Sequence, residues 1–103
     1  MADIKYKYSK DEWSNRVNLA ACYHLADIFN MSDIIWNHIT ARTSGDKDTF
    51  LINPFGLRYD EISASNLVEI TIEGKVINSD SVINDTGYII HGAIHQSRDD
   101  INC

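Results

Sequence analysis

His91 and His95 stand four residues apart in a stretch that reads as helical. That spacing puts both rings on one side of a helix, an arrangement that can bind zinc in metalloproteases. The protease pattern also requires a glutamate directly after the first histidine, to act as the general base. Here that residue is Gly92. Packing or hydrogen bonding on the helix is the favoured reading of the pair, and no metal ligand is assigned. His24 and His38 are isolated and read the same way. Cys22 sits among alanines in the first helical stretch and reads as a small buried side chain. No basic residue or helix start near Cys103 would depress its pKa, so no catalytic thiol is expected. No Ser/His/Asp arrangement, phosphate-binding loop or dinucleotide glycine pattern occurs.

The elements that would position these groups are legible in the patterning. Ser9-Lys10-Asp11-Glu12 fits a capping box, with Ser9 accepting from an orphan amide and Glu12 reaching back to the Ser9 amide. Trp13, Val17, Ala20, Ala21, His24, Leu25 and Ile28 recur at three- and four-residue steps. This predicts one core-facing side of a helix that runs to about Phe29. Asn30 to Asp33 breaks it. Ile39 to Thr43 alternates and predicts a strand, Ser44 to Asp48 a polar turn, and Thr49 to Ile52 a second strand of a hairpin. Asn53-Pro54-Phe55-Gly56 interrupts the ladder, because proline cannot continue it. Tyr59 to Ile62 predicts a short helical turn and Ser63 to Leu67 a second turn.

Val68 to Ile72 has period two, Glu73-Gly74 is a tight-turn signal, and Lys75 to Asn78 completes a second hairpin. Thr86 would cap a helix from Gly87 to about Arg98. Ile90, Ala93, Ile94 and Ser97 share one side of it. Ile101-Asn102-Cys103 looks like the start of a strand. The order helix, hairpin, hairpin, helix predicts a mainly antiparallel sheet with helices packed on it.

The totals bound the function. At 103 residues, 44% hydrophobic and 23% charged, the chain is at most one ordinary globular domain. A net charge of -6 argues against nucleic-acid binding and against docking on an anionic membrane. No apolar run approaches a membrane span, and Met1 to Lys10 lacks a signal core. Two cysteines make no disulfide framework, so a cytoplasmic protein with reduced thiols is expected.

Three blocks in order carry a resemblance. They are Trp36-Asn37-His38-Ile39-Thr40-Ala41-Arg42, then Phe50-Leu51-Ile52-Asn53-Pro54-Phe55-Gly56-Leu57, then Gly87-Tyr88-Ile89-Ile90-His91-Gly92-Ala93-Ile94-His95. Ile62 to Val68 and Gly74-Lys75-Val76 join them. With this order and spacing the chain resembles the N-terminal half of the class II aldolase/adducin domain, from about Glu12 to Cys103. It is closer to the adducin-like branch than to the sugar-phosphate aldolases. The resemblance implies an α/β fold of the α+β type: part of a three-layer αβα domain, truncated, around a mainly antiparallel sheet. The family's enzymes make or break carbon–carbon bonds next to a carbonyl, or remove a proton there, with a divalent metal that is usually zinc. Their substrates are small hydroxycarbonyl or phosphorylated compounds.

Carried over residue by residue, the resemblance makes Asn37, Gly56 and Thr86 candidate contacts to the substrate's anionic end. A turn asparagine and a turn glycine explain Asn37 and Gly56 equally well. Gly87 occupies the position of the aldolases' acid/base glutamate and has no proton to give or take. Asp85 stands where an anion-binding serine would sit, and its charge would repel a phosphate. Phe55 replaces a hydroxyl residue. The family's three metal-binding histidines fall beyond Cys103, although His91 matches a family position that is usually a non-ligand histidine. The expectation is a truncated domain, not catalytically competent alone, with no cofactor of its own. Two alternatives stand beside it: a zinc-dependent aldolase once the rest of the domain is supplied, or an adducin-like interaction module. A half domain leaves a sheet edge and an apolar face open, so a homo-oligomer is expected.

Overall fold

Ser9 starts the first helix as expected, its hydroxyl accepting from the Glu12 amide at 3.1 Å. In the computed structural model, which describes residues 8–43, 48–77 and 79–103, this helix, α1, spans Lys10–Ile28. Its C-terminus closes with a paired motif. Asn30 takes the left-handed conformation at φ 59°, its amide donates to Asp27 O, and the Met31 amide donates to Ala26 O. Asparagine suits that position because its short polar side chain tolerates positive φ.

The buried side of α1 is not the side the periodicity predicts. Glu12, Arg16, Leu19, Ala20 and Tyr23 are buried, while Val17, Leu25 and Ile28 are exposed. Of the expected face only Ala20 is in the core. At 100° per residue the two faces lie roughly 100° apart. The cause is polar. Arg16 donates to Glu12 Oε1 at 3.3 Å and to the carbonyls of Ala64 and Leu67 at 3.2 and 2.8 Å. The helix is thus turned toward the Ser63–Leu67 segment by an ion pair and two orphan carbonyls, and Glu12 is engaged with Arg16. Cys22, expected inside, is exposed on this rotated helix, as is Cys103.

Four short strands form an antiparallel meander in the order β1-β2-β3-β4. They are β1 (Ala41–Arg42), β2 (Thr49–Ile52), β3 (Val68–Thr71) and β4 (Val76–Ile77). Both expected hairpins are present, with shorter strands. The expected turn at residues 44–47 and the strand end at Asn78 lie outside the described residues. The β2 strand stops at Ile52 before Asn53-Pro54, and Tyr59–Glu61 forms a single 3-10 turn.

Directly paired residues share a face. Phe50 pairs with Ile70 and Ile52 with Val68, and these four pack with Ile83, Val76 and Tyr88. On the opposite face Leu51 joins Leu19, Ala20, Tyr23, Tyr59, Ile62 and Leu67 beneath α1. The second helix, α2 (Asp85–Ser97), covers the first of these faces. The result is the expected α/β arrangement of three layers, helix on sheet on helix. No helix among the described residues is long and apolar enough to cross a membrane.

The second helix differs from expectation in two ways. Its cap is Asn84, whose side chain accepts from the Thr86 amide at 3.0 Å, so Thr86 lies inside the first turn. Its buried residues are Gly87, Gly92 and His95, while Ile89, Ile90 and Ile94 face outward. Close approach explains the glycine. A Cβ at Gly92 would stand 2.9 Å from the Ile72 carbonyl oxygen, and a backbone atom cannot move aside. Gly92→Ala is therefore expected to destabilise the fold by about 1–3 kcal/mol, read from the urea midpoint, despite alanine's higher helix propensity.

The C-terminal residues run beside β1. The Arg42 amide donates to Asn102 O at 2.6 Å. The Arg42 guanidinium donates to the carbonyls of Ile101, His95 and Arg98. One cation thus satisfies the open carbonyls at the end of α2 and fixes the following segment.

Candidate functional site

The three candidate anion contacts sit on three different elements that the fold draws together through their neighbours. Asn37 has φ 67° and is exposed. Gly56 has φ 95°, a turn conformation that suits glycine, with nothing within 4 Å of a notional Cβ. The adjoining Trp36 and Phe55 rings meet edge-on with centroids 6.0 Å apart, which joins the Asn37 and Gly56 segments. Thr86 is exposed in the first turn of α2, where amide dipoles favour an anion. Its neighbour Gly87 is buried, and a Cβ there would meet the His38 ring at 3.2 Å and Ile52 Cδ1 at 2.9 Å. Asp85 lies one residue away on the same turn.

Behind this surface lies a polar network that the sequence does not announce. Thr40 is 2% exposed. Its hydroxyl bonds His91 Nδ1 at 2.8 Å and His95 Nε2 at 3.0 Å. The His38 and His91 rings meet edge-on at 5.9 Å, and Phe50 lies against His95 at 4.9 Å. Nδ1 of His38 and Nδ1 of His95 are buried without a hydrogen-bond partner. Burial pushes the pKa of all three histidines down, opposed at His38 by Asn53 and reinforced at His91 by His38 and at His95 by Arg42. On the far side of the sheet the Tyr23 hydroxyl donates to Asn53 Oδ1 at 3.0 Å and accepts from the Ile39 amide at 2.8 Å. Burial raises the Tyr23 pKa, so it stays a neutral phenol. His24 is separate, its Nε2 2.7 Å from the Ile62 carbonyl.

These residues do not compose a metal centre. Among the described residues no three of His, Cys, Asp and Glu converge. The helix spacing of His91 and His95 directs one nitrogen of each to the Thr40 hydroxyl, so both rings serve the packing of α2 on the sheet. A cleft of about 760 Å³ opens on another side of Phe55, lined by Glu12, Arg16 and Glu69. Asn37, Gly56 and Thr86 are not among its lining residues.

Residues 17–103 match the family described as Class II Aldolase and Adducin N-terminal domain. The chain belongs to that family.

Its relatives include a Pseudomonas aeruginosa protein assigned provisionally to the class 2 aldolases, 47% identical over 99% of this chain and 39% of that one. Rat alpha-adducin is 42% identical over 93% of this chain and 14% of its own. A crystal structure of an aldolase II superfamily protein from Pseudomonas syringae superposes with a TM-score of 0.91 at 45% identity, covering 95% of this chain and 40% of that one. The L-fuculose 1-phosphate aldolase of Glaciozyma antarctica superposes with a TM-score of 0.81 at 26% identity. The chain thus spans about two-fifths of the length of the bacterial relatives it matches.

The polar group missed by sequence reasoning is the Thr40–His91–His95 cluster with His38. Its members are 38 to 95 in the chain, and only the packing of α2 on the sheet unites them. The weak signal was the spacing of His91 and His95, which reports a shared side but not what that side meets.

Proposed function

We propose that this chain forms the anion-binding portion of a class II aldolase/adducin-type site, and that it does not complete the catalytic cycle alone. Its ligand would be the phosphate or carboxylate end of a small hydroxycarbonyl compound. Asn37 would donate its side-chain amide, Gly56 its backbone amide, and Thr86 its hydroxyl at the start of α2. The observation that carries this reading is the convergence of their three segments through the Trp36–Phe55 and His38–Gly87 contacts.

Among the described residues no three of His, Cys, Asp and Glu converge to hold a metal, and the position of the aldolases' acid/base glutamate is occupied by Gly87. Gly87 is side-chainless and packed against His38, and the imidazoles of His91 and His95 are committed to Thr40. Carbon–carbon lyase activity, with the zinc chemistry of the lineage, would therefore belong to a longer assembly that supplies the remaining ligands. A cytoplasmic location fits this small-molecule role. A second reading, a protein-interaction module, draws on the 42% identity to alpha-adducin.

Titration with inorganic phosphate, followed through backbone amide resonances, tests the first reading. The Gly56 and Thr86 amides are expected to shift together with saturation in the millimolar range, and Asn37→Ala should weaken binding about tenfold, the worth of one hydrogen bond to a charged group. Amides of Gly56 and Thr86 that stay still at the highest phosphate concentration would sink it in favour of the interaction module.

A further inference from the structure

The wall of the 760 Å³ cleft holds a charge that the fold leaves unanswered. Glu69 lies in β3, paired with Leu51 of β2 on one side and Ile77 of β4 on the other. It is 8% exposed and lines the cleft. The Thr49 hydroxyl donates to its Oε2 at 2.8 Å. Its other oxygen, Oε1, takes no hydrogen bond from the described residues, and none of their ion pairs includes Glu69. Burying a carboxylate with one neutral hydrogen bond and no counter-charge is costly, and an apolar side chain between Leu51 and Ile77 would avoid the cost. A ligand of opposite charge would offset it.

The other charges of the cleft are spent within the fold. Arg16 donates from Nε to Glu12 and from Nη1 to the carbonyls of Ala64 and Leu67, and its guanidinium lies 3.9 Å over the Tyr8 ring. Arg16 and Glu12 cancel, and no other lining residue is charged at neutral pH. Glu69 therefore sets the sign of the cavity, which rejects an anion and suits a cation. The volume falls in the range of small-molecule sites, roughly 300–1,000 Å³. Leu57, Ile77 and Val82 add apolar wall, and Ser79 and Ser81 add hydroxyls that accept from an ammonium. A chain of net charge -6 also draws cations toward it.

We propose that this cleft binds a small aliphatic primary amine. Its ammonium would pair with Glu69 Oε1, and its alkyl chain would lie against the apolar wall. Neither Asn37, Gly56 nor Thr86 lines the cleft, and the ligand charge is the opposite of the one assigned to those residues. The amine site and the anion site can therefore fail separately.

Titration of the 103-residue chain with n-butylammonium chloride near neutral pH, followed through backbone amide resonances, tests the proposal. The Glu69, Ile77 and Ser81 amides are expected to shift together and saturate with a Kd of about 1 mM, as suits a ligand of so few atoms. The Thr86 amide should stay still. 1-Butanol, of similar size and uncharged, should bind at least about tenfold more weakly, and sodium chloride at matched concentration should shift none of the three. Glu69→Gln keeps an acceptor for Thr49 and removes the charge. It should weaken butylammonium binding at least about tenfold and leave the urea midpoint unchanged or higher. Amides that do not move at about 50 mM amine, some fiftyfold above the expected Kd, overturn the proposal. So does butanol binding as well as the amine, or Glu69→Gln binding as well as the parent chain. A Glu69→Gln chain that no longer folds would assign the carboxylate to the fold and overturn it too.

Discussion

Lowering the pH from about 7 to about 5 is expected to destabilise the fold, with the loss beginning as histidines in the unfolded chain start to protonate. His38, His91 and His95 all have pKa values held below the ordinary 6.5 by burial. The unfolded chain therefore binds more protons than the folded one below neutrality. Stability is fully present above the unfolded pKa and is lost as pH falls through 6.5 toward the folded values. Each histidine contributes at most about 1.4 kcal/mol per pH unit, so three acting together make the slope steep.

The surroundings offer only partial relief: the Asn53 side chain favours the charged form of His38 and the Ile101 backbone that of His95, and burial outweighs both. The cluster meets Thr40, Asn53 and Phe50, and the charge felt by His95 is the Arg42 cation. Protonation would place a cation beside a buried, unpartnered Nδ1 and loosen α2 from the sheet. Urea unfolding at a series of pH values reads this directly. A midpoint that stays flat between about pH 7 and about pH 5 would show that the rings are not held neutral by the fold.

Arg16→Leu is expected to be the most damaging single substitution. Arg16 is 3% exposed and Glu12 8% exposed, and the guanidinium also satisfies two carbonyls of the Ser63–Leu67 segment. Removing it leaves a carboxylate and two acceptors inside without partners. Breaking one side of a buried ion pair costs about 3–5 kcal/mol, a large share of the ~5–15 kcal/mol by which a domain of this size is stable. Replacing both partners, as Glu12→Gln with Arg16→Met, should recover part of the loss, because no unpaired charge remains. The check is chemical denaturation of the single and double variants. A single-variant loss below about 1 kcal/mol would mean that the pair behaves as an exposed one.

The two helices show where sequence reading stopped. Ser9 as a cap, the break at Asn30, the end of β2 before Pro54 and the Glu73-Gly74 turn are local events. Each is fixed by one residue's hydrogen bonding or φ preference, so each was legible. The meander followed from two hairpins with short connections. The faces of α1 and α2 were not. Periodicity marks which side of a helix is apolar and cannot say whether that side meets the sheet of the same chain. In α1 a buried Arg16–Glu12 pair rotates the helix. In α2, Gly92 against the Ile72 carbonyl allows close approach and His95 fills the interface.

The sequence by itself determined the lineage, the order of elements and the start of α1, because those follow from local chemistry and from blocks of matched spacing, while the cap of α2 and the strand lengths differed from expectation. Only the tertiary structure decided that His38, Thr40, His91 and His95 form one partly buried cluster, and that the apolar sides of both helices face outward. Those facts depend on contacts between residues up to 55 positions apart (Thr40 to His95), which packing creates and no local pattern encodes.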